Sequence, residues 1–212
     1  MKKLENESYE SKYFKNIFEG LIKTTYQIEG IDVSTSFFFD SLKKTIDIEI
    51  KPNGRFFFFG NGASASFSNH MALDWSKNGG ILSFSLSDSS MLTALANDYS
   101  YEEVFLEFLK INNPTENDLV ITTSSSGNSP NIVSVLEYCN KMNINTLGFS
   151  GLKDDNKSVK LSKYSLYVPM KTYGMVECIH QVFHHLLLDK YMSVNEWEKL
   201  ETQNMNSNNF KL

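Results

Sequence analysis

Two periods of apolar positions alternate along this chain. From about Lys12 to Glu29, Phe14, Ile17, Phe18, Leu21, Ile22, Thr25 and Ile28 recur at helical spacing. A second helical pattern runs from Val33 to about Ile50, with Phe37, Phe38, Leu42, Ile46 and Ile50 on one face. These two N-terminal helices have wide apolar faces, which either cover one side of a sheet or pack against another subunit. The pattern then changes. Four consecutive phenylalanines, Phe56–Phe59, read as a strand buried on both faces, as in a parallel sheet covered by helices. They break into Gly60-Asn-Gly-Ala-Ser64, and helical spacing resumes from Ala65 to Lys77.

The alternation continues. Strands are predicted at Ile81–Leu86, Asp118–Thr122, Ile144–Phe149 and Tyr164–Val168. Helices are predicted at Met91–Ala96, Tyr101–Ile111, Pro130–Asn143, Asp154–Leu161 and Gly174–Met192. Strands alternating with helices predict an α/β, doubly wound, mainly parallel five-stranded sheet flanked by helices, preceded by the two N-terminal helices. Residues 1–192 read as a single domain and residues 193–212 as a polar, partly disordered tail.

Composition narrows the function classes. The 212 residues are 41% hydrophobic, enough for one sizeable core, and the formal net charge of -5 leaves no basic footprint for nucleic acid. Met1-Lys-Lys is followed by polar residues rather than a secretory signal, and no apolar run approaches a membrane span. A soluble cytoplasmic protein is expected, with Cys139 and Cys178 as free buried thiols.

The chemistry gathers in two loops and two helices. Gly60–Ser64 and the hydroxyl-rich Thr123-Ser-Ser-Ser-Gly-Asn-Ser129 both follow strands and precede helices. Such turns aim free backbone N–H groups and a helix N-terminus at an anion. With no basic residue in the second loop, a phosphate there would rest on hydroxyls, N–H groups and the helix dipole. The same serines also fit an ordinary polar loop, with Ser129 as the N-cap before Pro130. All four histidines lie in two helical stretches. His70 and Asp74 stand at i, i+4, and Glu177, His180, His184 and His185 follow one another on the last helix. Such groups can ligate a metal or act as acid and base, or serve as solvated and core side chains.

Gly60-Asn-Gly-Ala-Ser64, Ser87-Asp88 with Ala96-Asn-Asp98, and Ser124-Ser-Ser-Gly-Asn-Ser-Pro130 resemble the sugar isomerase (SIS) domain, and within it the phosphoheptose isomerases. The resemblance runs from about Arg55 to Asp189. It implies a homotetramer with active sites at subunit interfaces, acting on sedoheptulose 7-phosphate. Asn61, Gly62, Ala63, Ser64, Asn97, Asp98, Ser124, Ser125, Ser126, Ser129 and Glu177 would then contact the phosphorylated sugar. The family's metal-binding positions fall on His70, Asp74, Glu177 and His185, with Zn²⁺ as the implied ion, and Asp74 and His185 are the catalytic pair. Ala63 stands where the family has a third glycine, Asp74 where it has Glu, Glu177 where it has Gln, and Leu73 where a further Glu precedes. His180 matches a family histidine, and His184 is extra. The reaction implied is aldose–ketose isomerisation through an enediol, with either Asp74 or His185 as the base. The alternatives are a non-catalytic SIS protein that binds a phosphosugar or a protein partner, and an isomerase of another sugar phosphate.

Overall fold

A computed structural model describes residues 8–195 and Trp197. Helix α1 (Tyr9–Lys23) starts at Ser8, whose Oγ accepts from the Ser11 N–H at 3.2 Å. It ends at Lys23, six residues before the helical spacing predicted. Thr25–Ile28 instead forms strand β1, joined to β2 (Ile31–Val33) by Glu29-Gly30. Glu29 and Gly30 have φ of 52° and 77°, the left-handed pair that a two-residue hairpin requires. Apolar Tyr26 and Ile28 therefore serve a two-residue period that the 3.6-residue reading had absorbed. Helix α2 (Thr35–Thr45) follows and closes in a π turn at Ile46–Ile50.

The remaining elements are β3 (Phe56–Gly60), α3 (Ala63–Asp74) with a π turn at Trp75–Gly79, β4 (Ser83–Ser85), α4 (Ser89–Asp98), α5 (Val104–Ile111), β5 (Leu119–Ser124), α6 (Pro130–Lys141), β6 (Asn145–Gly151), α7 (Lys157–Leu161), β7 (Tyr164–Val168) and α8 (Tyr173–Met192). The sheet has seven strands rather than five, in the order β2-β1-β7-β6-β5-β3-β4. The two additional strands are the antiparallel hairpin; the other five run parallel. The predicted polar tail lies outside the described residues, apart from the αL cap at Ser193, the two residues after it and Trp197.

Side chains alternate across a strand, so the phenylalanine run feeds two cores. Phe56 and Phe58 point to one face, where α2, α3 and α8 bring Phe38, Leu42, Met71, Trp75, Ile179 and Leu187. Phe57 and Phe59 point to the other, against Phe105, Leu109, Ile132 and Leu136 of α5 and α6. Among the described residues no helix is long and apolar enough to cross a membrane. Cys139 is buried in the second core and Cys178 is exposed on α8, 3.8 Å from the Tyr13 hydroxyl; both are free. The expectation of two buried thiols fails at Cys178 because that position faces outward, toward α1.

At the opposite end from the loops, Arg55 and Asp118 fasten the starts of β3 and β5. Asp118 is fully buried. Its carboxylate accepts from the Arg55 backbone N–H (2.8 Å), Nε (3.1 Å) and Nη2 (2.9 Å), and from the Thr115 N–H (2.8 Å). The guanidinium also donates to the carbonyls of Asn112 and Asn113. Removing one partner strands the other's charge, so Asp118→Ala is expected to lower unfolding free energy by about 3 kcal/mol in a denaturant titration.

Candidate active site

Parallel pairing of β3 with β5 places Gly60 beside Thr123 and so sets the two loops side by side at the carboxyl ends of the strands. Gly62, the residue before α3, has φ 58° and ψ -124°, a conformation open to glycine. At Gly60 a Cβ would lie 2.7 Å from the Ser64 carbonyl, so the turn folds onto itself too tightly for a side chain. Asn61 is fixed on two sides: its amide donates to Asn131 Oδ1 (2.9 Å), and its carbonyl accepts from Asn131 Nδ2 (3.1 Å) and the Tyr101 hydroxyl (2.9 Å).

The serine loop closes a cavity of about 100 Å³, lined by Asn61, Ser64, Thr123, Ser124, Ser125, Ser126, Ser129, Tyr173 and Glu177. Ser129 sits at the N-cap position of α6 yet makes no side-chain capping bond; its Oγ lies 3.3 Å from that of Ser124. Pro130 has no N–H and the Ile132 N–H donates to the Ser129 carbonyl at 3.0 Å, which leaves Asn131 to offer a first-turn N–H of α6. Ser125 Oγ is buried without a hydrogen-bond partner, which a buried polar group tolerates only at a cost. Clustered serine hydroxyls, one of them unpartnered, a helix N-terminus and little room describe a pocket for the anionic end of a ligand.

A second group forms between α3 and α8. The ligating atoms of His70, Asp74 and His185 all lie within 4.8 Å of one another. His70 Nε2 is 3.2 Å from Asp74 Oδ2, and the two imidazole rings are 5.4 Å apart. Asp74 is buried and His70 is open to solvent. Gln181, one turn before His185, donates its amide N–H to His185 Nε2 at 2.8 Å. With the amide nitrogen as donor, the lone pair of that ring nitrogen is engaged by Gln181, and the amide must turn away for the nitrogen to ligate a metal or take a proton. Two imidazoles and a carboxylate suit Zn²⁺ or a similar transition ion.

The sequence-predicted residues thus divide. Asn61, Ser64, the four serines of the second loop and Glu177 meet around the anion pocket. His70, Asp74 and His185 meet in the cluster, while Glu177 stands with the serines. Gly62 and Ala63 form the turn and first residue of α3. Asn97 and Asp98 are exposed at the end of α4, bonded to each other and outside the pocket lining. His180 and His184 face the core: His180 Nε2 lies 3.0 Å from the Ser150 carbonyl and His184 Nε2 lies 2.9 Å from Thr123 Oγ1. Burial pushes their pKa values down to about 4 and about 3. Sequence reasoning missed Gln181, Tyr173, Asn131 and Tyr101. Gln181 carried a signal, its i, i+4 relation to His185.

The SIS domain family matches residues 39–151. A phosphoheptose isomerase of Helicobacter pylori (strain ATCC 700392 / 26695) is 32% identical over 187 residues, covering 82% of this chain and 95% of its own. That of strain Shi470 is 36% identical over 149 residues, covering 66% of this chain and 75% of its own. The solved phosphoheptose isomerase of Neisseria gonorrhoeae has the same fold, with a TM-score of 0.73 at 21% identity over 87% of this chain and 97% of that one. The fold and the site define a SIS-type sugar phosphate protein. The chain belongs to the SIS domain family, in its phosphoheptose isomerase branch.

His180 gives the fold a pH dependence. Its folded pKa lies below the ordinary value, so below about pH 6.5 the unfolded chain binds a proton that the folded chain refuses. Its stabilising effect is complete above pH 6.5 and is lost as pH falls toward 4. Thermal melts at stepped pH should show this decline, at most about 1.4 kcal/mol per pH unit from this residue. His180→Leu should make the decline shallower by its own share, with the share of His184, whose pKa is lower still, remaining.

Proposed function

We propose that this protein isomerises sedoheptulose 7-phosphate to D-glycero-D-manno-heptose 7-phosphate in the cytoplasm. The observation that carries this reading is the pairing of an anion pocket at the strand ends with the His70–Asp74–His185 cluster on the adjoining helices; the named relatives point the same way. The phosphate seats among Ser124, Ser125, Ser126 and Ser129. The pocket is too small for seven carbons, so the sugar chain extends outward. Glu177, a carboxylate that repels phosphate, suits a sugar hydroxyl as acceptor. Asp74 or His185 takes the proton from C1, beside the C2 carbonyl, to give the enediol. The proton returns at C2, and the hydroxyl proton passes from O1 to O2, leaving the aldehyde. A Zn²⁺, when bound, would be held by His70, Asp74 and His185 and would polarise the carbonyl oxygen, and the base would then be the second carboxylate oxygen of Asp74, because a ligating imidazole has no lone pair left.

The working unit in this proposal is a homotetramer with sites at subunit interfaces. Phe14, Phe18 and Ile22 form an outward stripe on α1, exposed by 68%, 62% and 70%. An apolar groove of about 890 Å³ lined by Phe39, Val182, Leu186 and Trp197 opens beside His185. Apolar faces of this kind mark contact surfaces.

Asp74→Asn and His185→Ala are each expected to remove turnover of sedoheptulose 7-phosphate while leaving the circular dichroism spectrum unchanged. Full turnover in both variants, with no metal by elemental analysis, overturns the assignment of the chemistry to these residues; a wild type without turnover on sugar phosphates favours a binding module. Ser126→Asp should abolish phosphate binding in calorimetry through like-charge repulsion. Light scattering should give a tetramer; a monomeric mass at micromolar concentration rules out shared sites.

A further inference from the structure

Helix α8 carries His185 to the site but lies on the sheet through apolar side chains, among them Val176, Ile179, Phe183, Leu187 and Leu188. Dispersion and burial are non-directional, so such an interface fixes contact better than it fixes register. Two buried polar links interrupt it. One is His180 to the main-chain carbonyl of Ser150. The other joins two side chains: His184 Nε2 to Thr123 Oγ1 at 2.9 Å, with His184 2% and Thr123 1% exposed.

The place of this second link is unusual. Thr123 is the residue before Ser124 and lines the anion pocket. His184 is the residue before His185. The imidazole stacks on Phe149, with ring centroids 4.1 Å apart and planes 27° off parallel, and stands 6.5 Å from Phe58. A leucine would fill such a position without desolvating a polar ring, so packing alone does not call for histidine. Buried polar pairs set register where apolar contacts leave it loose.

We infer that His184 is a positioning residue: its hydrogen bond to Thr123 holds α8 in register against β5 and so sets the distance from the serine loop to His185. The inference rests on the isomerase reading. A displacement on the order of 1 Å between a bound group and a catalytic one costs up to about a hundredfold in rate. The effect belongs in kcat, because the serines that hold the phosphate stay on β5 and α6.

The double variant Thr123→Val/His184→Leu tests this, since removing both partners leaves no orphaned polar group and the fold should hold. Expected are a melting temperature near that of the wild type and a binding constant for inorganic phosphate within about threefold. Turnover of sedoheptulose 7-phosphate should show kcat lowered about tenfold or more and KM within about threefold. His184→Leu alone should lose kcat to the same degree, because either change breaks the same bond. Retention of kcat within about twofold in the double variant overturns the inference, and so does a fall in phosphate affinity that matches the loss of rate. A wild type without turnover overturns the isomerase reading instead. Register is then read by hydrogen exchange over residues 177–185: faster exchange in the double variant supports the inference, and unchanged exchange overturns it.

Discussion

The parallel pairing of β3 with β5 is the constraint on which the site depends. Parallel neighbours end on the same side of a sheet, so the loops after them must emerge together. Gly60 beside Thr123 brings one short turn and one hydroxyl-rich loop to a common rim. The chain is held there from the far end: the buried carboxylate of Asp118 grips Arg55 at the start of both strands. A slip of one residue would turn Phe56 and Phe58 to the wrong core and would also separate the loops. Fold register and site geometry are one quantity in this protein.

Much of this was legible because burial writes plainly into sequence. A strand covered on both faces needs no polar alternation, so Phe56–Phe59 announced both the strand and its central place. Loops that follow such strands, with glycine and serine and then helical spacing, announced the rim. The hairpin was hidden for a physical reason. Tyr26 and Ile28 satisfy a two-residue period, but Thr25 and Ile28 also extend the face of Ile17, Leu21 and Ile22, and four residues are too few to separate the readings. Only Glu29-Gly30 carried the distinguishing signal.

The side-chain clusters show the same limit. His70 and Asp74 were joined by a spacing of one helical turn, a local fact. Glu177 and His185 were joined only by what the family resemblance implies. Eight residues rise about 12 Å along a helix, and that rise carries Glu177 to the serine loop and away from the cluster. The fates of His180 and His184 depend on the sheet beneath them, which no local pattern contains. Their neutral, buried rings mean that a count of histidines overstated the chemistry at the surface.

The two borders of the sheet, β2 and β4, are each three residues long. A short border offers few open backbone donors and acceptors, which blunts it as a template for a strand from another chain.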